Sequence, residues 1–173
     1  MLATFAGIGS ISAQEPPVNE YHVKGIFLYN FAKFVEWPAH AFKTHADPMT
    51  ICTAGTNPFG TALETVIQDE KIRKRALLVR TVTETRQAAG CHILYFSISE
   101  RKRSRSWLPE LRRLSILTVG ETEEFLQQGG IVAFRLKDSR VRFTIDGEAA
   151  LRAGLKISSK LLRLADKPKG AAK

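Results

Sequence analysis

Between positions 21 and 38 the chain reads YHVKGIFLYNFAKFVEWP, with Val23, Phe27, Phe31 and Phe34 at i, i+4, i+8 and i+11. That spacing lines one face of an α-helix. Ile26, Tyr29 and Trp37 widen the stripe, while Lys24, Asn30, Lys33 and Glu36 interrupt it. Pro38 cannot continue a helix and turns Trp37 away from helical dihedrals, which predicts a helix ending there. The segment holds six of the chain's fifteen aromatic residues, so this helix is expected to lie against a large apolar surface.

Downstream, short apolar runs alternate with helical periodicity. Residues 49–53, 76–82, 91–97 and 115–119 read as strands; the third is apolar without interruption, as a strand buried on both faces is. Helices are expected at 59–68, entered through Asn57 and Pro58, and at 101–113, a basic segment with Trp107, Leu108, Leu111 and Leu114 inward. A helical turn near 84–89 and a helix at 121–128, stopped by Gly129 and Gly130, complete the series. Residues 131–136 and 140–145 then alternate apolar and polar about a turn, as an antiparallel hairpin does. Val132, Phe134 and Leu136 share one face, and Val141, Phe143 and Ile145 share a face of the partner strand. Asp146 is placed to cap a last helix, 147–165, whose Ala150, Leu151, Leu155, Ile157, Leu161, Leu162 and Leu164 form a broad apolar stripe. Repeated βα units call for a mostly parallel sheet with helices on both faces, and the hairpin adds an antiparallel edge. The expected fold is a three-layer α/β sandwich.

The 173 residues suit one domain, placed at 20–166, with a loose polar tail at 167–173. Hydrophobic residues at 44% and charged residues at 25% are ordinary globular values and exclude global disorder. No run reaches the roughly 18–20 apolar residues of a membrane span. Residues 1–13, MLATFAGIGSISA, are uncharged, small and apolar. They read as the core and cleavage region of a secretory signal peptide, with Ala13 the last residue removed, but without the positively charged start. The other reading is a loose N-terminus.

GIFLYNFAKFVEWP, the strand–turn–helix TICTAGTNPFGTALE, the LTVGE turn and the ending GLKISSKLLRLA follow one another along the chain. In content and order they resemble the YfiR/HmsC-like family, and the likeness runs from about Tyr21 to Ala165. The resemblance implies a small periplasmic protein that represses an inner-membrane diguanylate cyclase. It also implies cysteines at places like those of Cys52 and Cys91, which stand in two strand-like segments. Were those strands neighbours, the Cα atoms would come within the roughly 4.4–6.8 Å of a disulfide. Two small buried hydrophobes are the competing reading. The pair is too sparse for zinc and lacks redox CxxC spacing.

A search for chemistry returns little. Gly55-Thr-Asn-Pro-Phe-Gly60-Thr61 suggests a phosphate loop, but no lysine follows Gly60 and Pro58 removes a backbone donor. No GxGxxG follows a strand. His40 and His45 share a loop with Asp47 without a second convergent cluster, and His92 reads as a satisfied strand-end side chain. Ser158-Ser159-Lys160 lacks the SxxK spacing of a catalytic dyad. The acids with which a receiver domain holds Mg²⁺ are missing after the first and third strands. No catalytic residue, metal or cofactor is expected, and the chain reads as a non-enzyme.

The net charge of +9 is clustered at 71–75 and again at Arg101, Lys102, Arg103, Arg105, Arg112 and Arg113. Basic patches attract nucleic acid, anionic lipid and acidic protein surfaces alike. Two readings therefore stand. One is a periplasmic repressor docking on the periplasmic domain of a cyclase, as the resemblance implies, with no nucleic-acid partner and room for a homodimer. Its contact residues would be Arg101, Arg103, Arg105 and Trp107, with Trp37 at a helix rim. The other is a cytoplasmic α/β module binding nucleic acid or an anionic ligand.

Overall fold

The structure is a computed structural model and describes residues 18–167. The expected leader at 1–13 and most of the expected tail lie outside that range. Helix α1 spans Val18–Phe34 and passes into a short strand β1, Val35–Glu36. Strand β2 is Met49–Ala54, α2 Ala62–Ile67, β3 Lys71–Ile72 and β4 Arg75–Val82. A 3-10 turn, Thr85–Gly90, leads to β5, Ile93–Tyr95. Helix α3 is Arg101–Leu111, β6 Leu117–Gly120 and α4 Glu123–Gln127. The hairpin strands β7 and β8 are Val132–Lys137 and Arg140–Ile145. Helix α5 (Gly147–Arg152), strand β9 (Lys156–Ile157) and helix α6 (Ser159–Leu164) follow.

Seven strands form one sheet in the order β3-β4-β2-β5-β6-β7-β8, parallel from β4 to β7 and antiparallel at both margins. Strand alternation sorts side chains into two cores. Ile51, Ile93, Tyr95, Leu117, Val119, Phe134 and Phe143 meet α1, α2, α5 and α6 on one face. Cys52, Ala54, Leu94 and Phe96 meet α3, α4 and the 3-10 turn on the other. The expected three-layer sandwich is what forms. At the hairpin tip Asp138 and Ser139 both take positive φ, 51° and 58°, which lets a two-residue turn follow the strand twist.

Two expected helices are shorter than the apolar pattern suggests, and one cause accounts for both. Helix α1 ends at Phe34 because Val35 and Glu36 pair antiparallel with Ile157 and Lys156, and Ser158 N–H donates to Phe34 O at 3.0 Å. The expected helix 147–165 breaks at Gly154, φ +73°, where Gly154 N–H bonds Leu151 O and Leu155 N–H bonds Ala150 O. This is a glycine helix stop, and the chain then supplies β9. Of the expected stripe, Ala150, Leu155 and Leu161 are buried, whereas Leu151 and Leu164 are 71% and 63% exposed. The expected inward Leu114, and Ile26 on α1, are also exposed. On α1 the burial runs through Lys24, Leu28, Phe31 and Ala32 and on into Val35 of β1, with Phe27 and Phe34 packed against it.

Helix α2 starts three residues later than its apolar run. The Asn57 side chain caps the loop instead, accepting from Phe59 N–H at 2.9 Å. Asp146 and Ser158 do cap α5 and α6, accepting from Ala149 N–H and Leu161 N–H.

Candidate docking surface

Strand β2 lies between β4 and β5, so the chain reverses its direction of winding at that point. Ligands of open α/β sheets sit outside the carboxyl ends of the strands at such a switch. Here the chain fills the crevice itself. Gly55, φ +67°, follows β2, and any Cβ there would lie 2.3–2.5 Å from the carboxylate of Glu100. That carboxylate accepts from Thr56 N–H at 3.2 Å and from Arg103 Nε–H at 2.6 Å. Burial pushes the Glu100 pKa up, but the Arg103 and Thr56 hydrogen bonds outweigh it and hold the carboxyl below its ordinary range. The glycine that suggested a phosphate loop is thus needed to seat an internal carboxylate.

A second network ties α1 to the ends of β5 and β6. Lys24, 4% exposed, donates to Glu121 and is paired with Glu20, each at 2.5 Å. Tyr95 O–H donates to the same carboxylate, and Ile98 N–H donates to its other oxygen at 2.7 Å. Burial alone would lower the Lys24 pKa, but the charge and hydrogen bonds of Glu121, then Glu20, raise it above its ordinary value. Burial first, then Glu121, pushes the Tyr95 phenol far up. Every member is satisfied, so the cluster fastens a helix and offers no free acid or base. Sequence reasoning missed it. Its one signal was Lys24, a cation interrupting an apolar face.

Helix α3 was the expected contact element, and its residues divide sharply. Trp107 is buried, 7% exposed, in edge-to-face contact with Phe96 and with the Arg103 guanidinium 5.3 Å from its ring. Trp37 is 8% exposed and its Nε1–H donates to His92 O at 3.2 Å. Both indoles are buried in the isolated chain. Arg101 pairs with Glu124, and Arg103 is tied to Glu100 and, at 2.6 Å, to Thr83 O. Lys102, Arg105, Arg112 and Arg113 are exposed and carry no ion pair among the described residues. These four define a basic face on the outer side of the sandwich.

On the same side of the sheet Cys52 and Cys91 form a disulfide, with Cα atoms 5.8 Å apart. Cys91 sits just before β5, so the bridge ties the end of the 3-10 turn to the middle of β2. Arg80 Nη2 lies over it, donating to Gln87 O at 2.8 Å and 3.5 Å from Cys91 Sγ. His40 Nε2 lies 3.2 Å from Ser115 Oγ. Among the described residues no group of three or more His, Cys, Asp or Glu is placed to hold a metal ion. None of their helices is long and apolar enough to cross a membrane.

A family model described as YfiR/HmsC-like matches residues 21–166. No curated protein matches the chain significantly. Among solved structures, a conserved domain protein from Vibrio cholerae matches with a TM-score of 0.53 at 10% sequence identity, over 87% of this chain. The chain spans 60% of that protein's length, and the likeness is one of fold.

Proposed function

The chain belongs to the YfiR/HmsC-like family, and from that membership we propose that it docks on the extracytoplasmic domain of a membrane-bound diguanylate cyclase and holds it inactive. The family is one of periplasmic regulators of this signalling. The observation that carries the proposal is the match over residues 21–166, since a fold alone assigns no function. Two structural facts support it. A disulfide suits an oxidising compartment. The switch-point crevice, where an enzyme or nucleotide sensor of this architecture would hold its ligand, is filled by Glu100.

The mechanism is stoichiometric. Repression needs higher affinity for the inactive cyclase than for the active one, and the difference in binding free energy sets the depth of repression. The exposed cations Lys102, Arg105, Arg112 and Arg113 form the contact face, steering the protein to an acidic patch on the cyclase. The exposed Leu151 and Leu164 supply apolar area on the opposite layer.

The test measures binding of the purified protein to the isolated periplasmic domain of the cyclase, and cyclic-di-GMP in cells with and without the gene. A direct complex and a rise in cyclic-di-GMP on deletion are expected. Unaltered cyclic-di-GMP overturns repression. Salt-steep binding to bulk DNA with no binding to the cyclase transfers the reading to a nucleic-acid module.

A further inference from the structure

The crevice at the carboxyl end of the sheet is filled, but a cavity of about 560 Å³ opens at the other end, by the amino ends of β6 and β7. Ile116 and Ile131, the residues just before those strands, line it with Leu108 and Leu111 of α3 and with Ala149 and Ala153 on the α5 side. Cavities of roughly 300–1,000 Å³ with apolar walls and a few polar groups are the ordinary form of a small-molecule site. Among the described residues that line this one, none is aromatic. Its leucine and isoleucine walls suit a flexible aliphatic body and give a flat ring nothing to stack on.

Two polar groups meet at one wall. The Arg112 guanidinium lies against Gly129, whose φ of +98° favours glycine. A Cβ there would come within 3.2 Å of Arg112 Nη2 and 3.3 Å of its Nε, so the missing side chain makes the seat for the cation. Arg112 carries no ion pair among the described residues. Two residues further on, Ile131 N–H donates to Thr118 Oγ1 at 3.1 Å. Thr118 is 4% exposed and lines the cavity, and no acceptor among the described residues takes its hydroxyl proton. A seated cation and a free hydroxyl donor thus converge on the segment 129–131. Arg152 adds a second cation at the α5 rim, 3.7 Å from Glu148. The acid in the lining, Asp146, is turned to α5, its Oδ1 accepting from Ala149 N–H at 2.9 Å.

We propose that this cavity binds a monocarboxylate with an aliphatic tail, of the class of medium-chain fatty acids. The carboxylate pairs with the Arg112 guanidinium and accepts from the Thr118 hydroxyl, and the tail lies along Leu108, Leu111 and Ile116. Charge-assisted hydrogen bonds fix the head, and burial of the tail supplies the larger part of the affinity. The ligand thereby gives Arg112 the anionic partner that the chain itself does not. Asp146 limits the ligand to one negative charge, since a second would be repelled by its carboxylate. Arg112 also belongs to the basic face, yet the site does not rest on docking to a cyclase.

Calorimetric titration of the full chain with octanoate, below its micelle-forming concentration, tests this. A single saturable site is expected. Octanol, which keeps the tail and lacks the charge, should bind at least about tenfold more weakly. Arg112→Gln should weaken octanoate binding by as much while leaving octanol unaffected. Ala153→Leu, which fills the cavity from the α5 side, should abolish binding of both. Lys102→Gln with Arg105→Gln, which neutralises two cations of α3 outside the cavity, should change nothing. Circular dichroism establishes that the variants are folded, and Arg112→Gln, at an exposed position, keeps the test open if Ala153→Leu is not. No saturable binding up to about 1 mM octanoate overturns the proposal. So does a loss in the Lys102→Gln, Arg105→Gln variant equal to that in Arg112→Gln, which marks adsorption of the anion to the basic face. Octanol binding as tightly as octanoate also overturns it, because the carboxylate then plays no part in recognition.

Discussion

His92 shows how much one buried side chain can hold in place. Its Nδ1 accepts from Thr50 N–H at 3.1 Å and its Nε2–H donates to Ala41 O at 3.2 Å. Phe42 stacks on the ring at 4.3 Å, and Arg75 lies over Phe42. Only the neutral Nε2–H tautomer makes both bonds, because protonating Nδ1 removes the acceptor for Thr50. Burial, the largest influence, lowers the His92 pKa below the ordinary 6.5; the Ala41 bond and Asp47 oppose it, and Arg75 adds to it. The unfolded chain therefore binds the proton more readily than the folded one. The stability contribution is fully present above about pH 6.5 and is lost as pH falls below it. The melting temperature should drop between pH 7.5 and 5.5, and His92→Gln, which keeps a donor and an acceptor without titrating, should flatten that slope. Glu100 and Asp166, whose carboxyls are held below their ordinary range, lose their contributions only at lower pH. Equal slopes in both proteins would remove His92 as the cause. The bland reading of His92 was legible from its place at the head of an apolar strand, and the inward Trp107 from helical spacing. The burial of Trp37 was not, because spacing along a helix does not say how far the neighbouring layer reaches.

At the scale of elements, the sequence pattern located the strands and the hairpin well and the helix ends poorly. Strands β2 and β5 stand out because parallel, doubly covered strands are apolar on both faces. The segment 147–165 misleads because its apolar residues serve α5, β9 and α6 in turn, and only Gly154 marks the break. Gly154→Ala should cost about 1–2 kcal/mol in urea unfolding, since alanine must adopt φ +73°. The cost is conformational, because the new Cβ meets nothing nearer than Ser115 Oγ at 3.6 Å. A loss below 0.3 kcal/mol, on the order of experimental error, would mean that the segment extends into a continuous helix. The disulfide makes a sharper prediction. Cys52→Ser should cost about 2–4 kcal/mol under oxidising conditions, and the Cys52→Ser, Cys91→Ser double variant should cost little more. Additive losses would show two separate packing contributions in place of one covalent bond.

For the whole molecule, the decisive quantity is where the charge of +9 lies once the fold has used some of it. The sequence shows six cations on or just after α3 as one cluster. The structure assigns Arg101 to Glu124 and Arg103 to Glu100 and Thr83, leaving Lys102, Arg105, Arg112 and Arg113 facing solvent. Ion pairs of the first kind hold helix α3 over the switch-point crevice, while the free cations contribute a long-range field. The two groups should separate in experiment. Lys102→Glu with Arg105→Glu should leave thermal unfolding nearly unchanged and slow association with the cyclase's periplasmic domain, with a flatter dependence on salt. Arg103→Glu should instead lower the melting temperature, because a carboxylate there confronts Glu100 and uncovers the Trp107 ring. Stopped-flow association between about 50 and 300 mM salt, spanning a substantial change in Debye length, reads the first effect, and calorimetry reads the second. Association that is indifferent to the double reversal takes the basic face out of the docking surface. The exposed leucines of α5 and α6 then remain as the area through which repression would have to act.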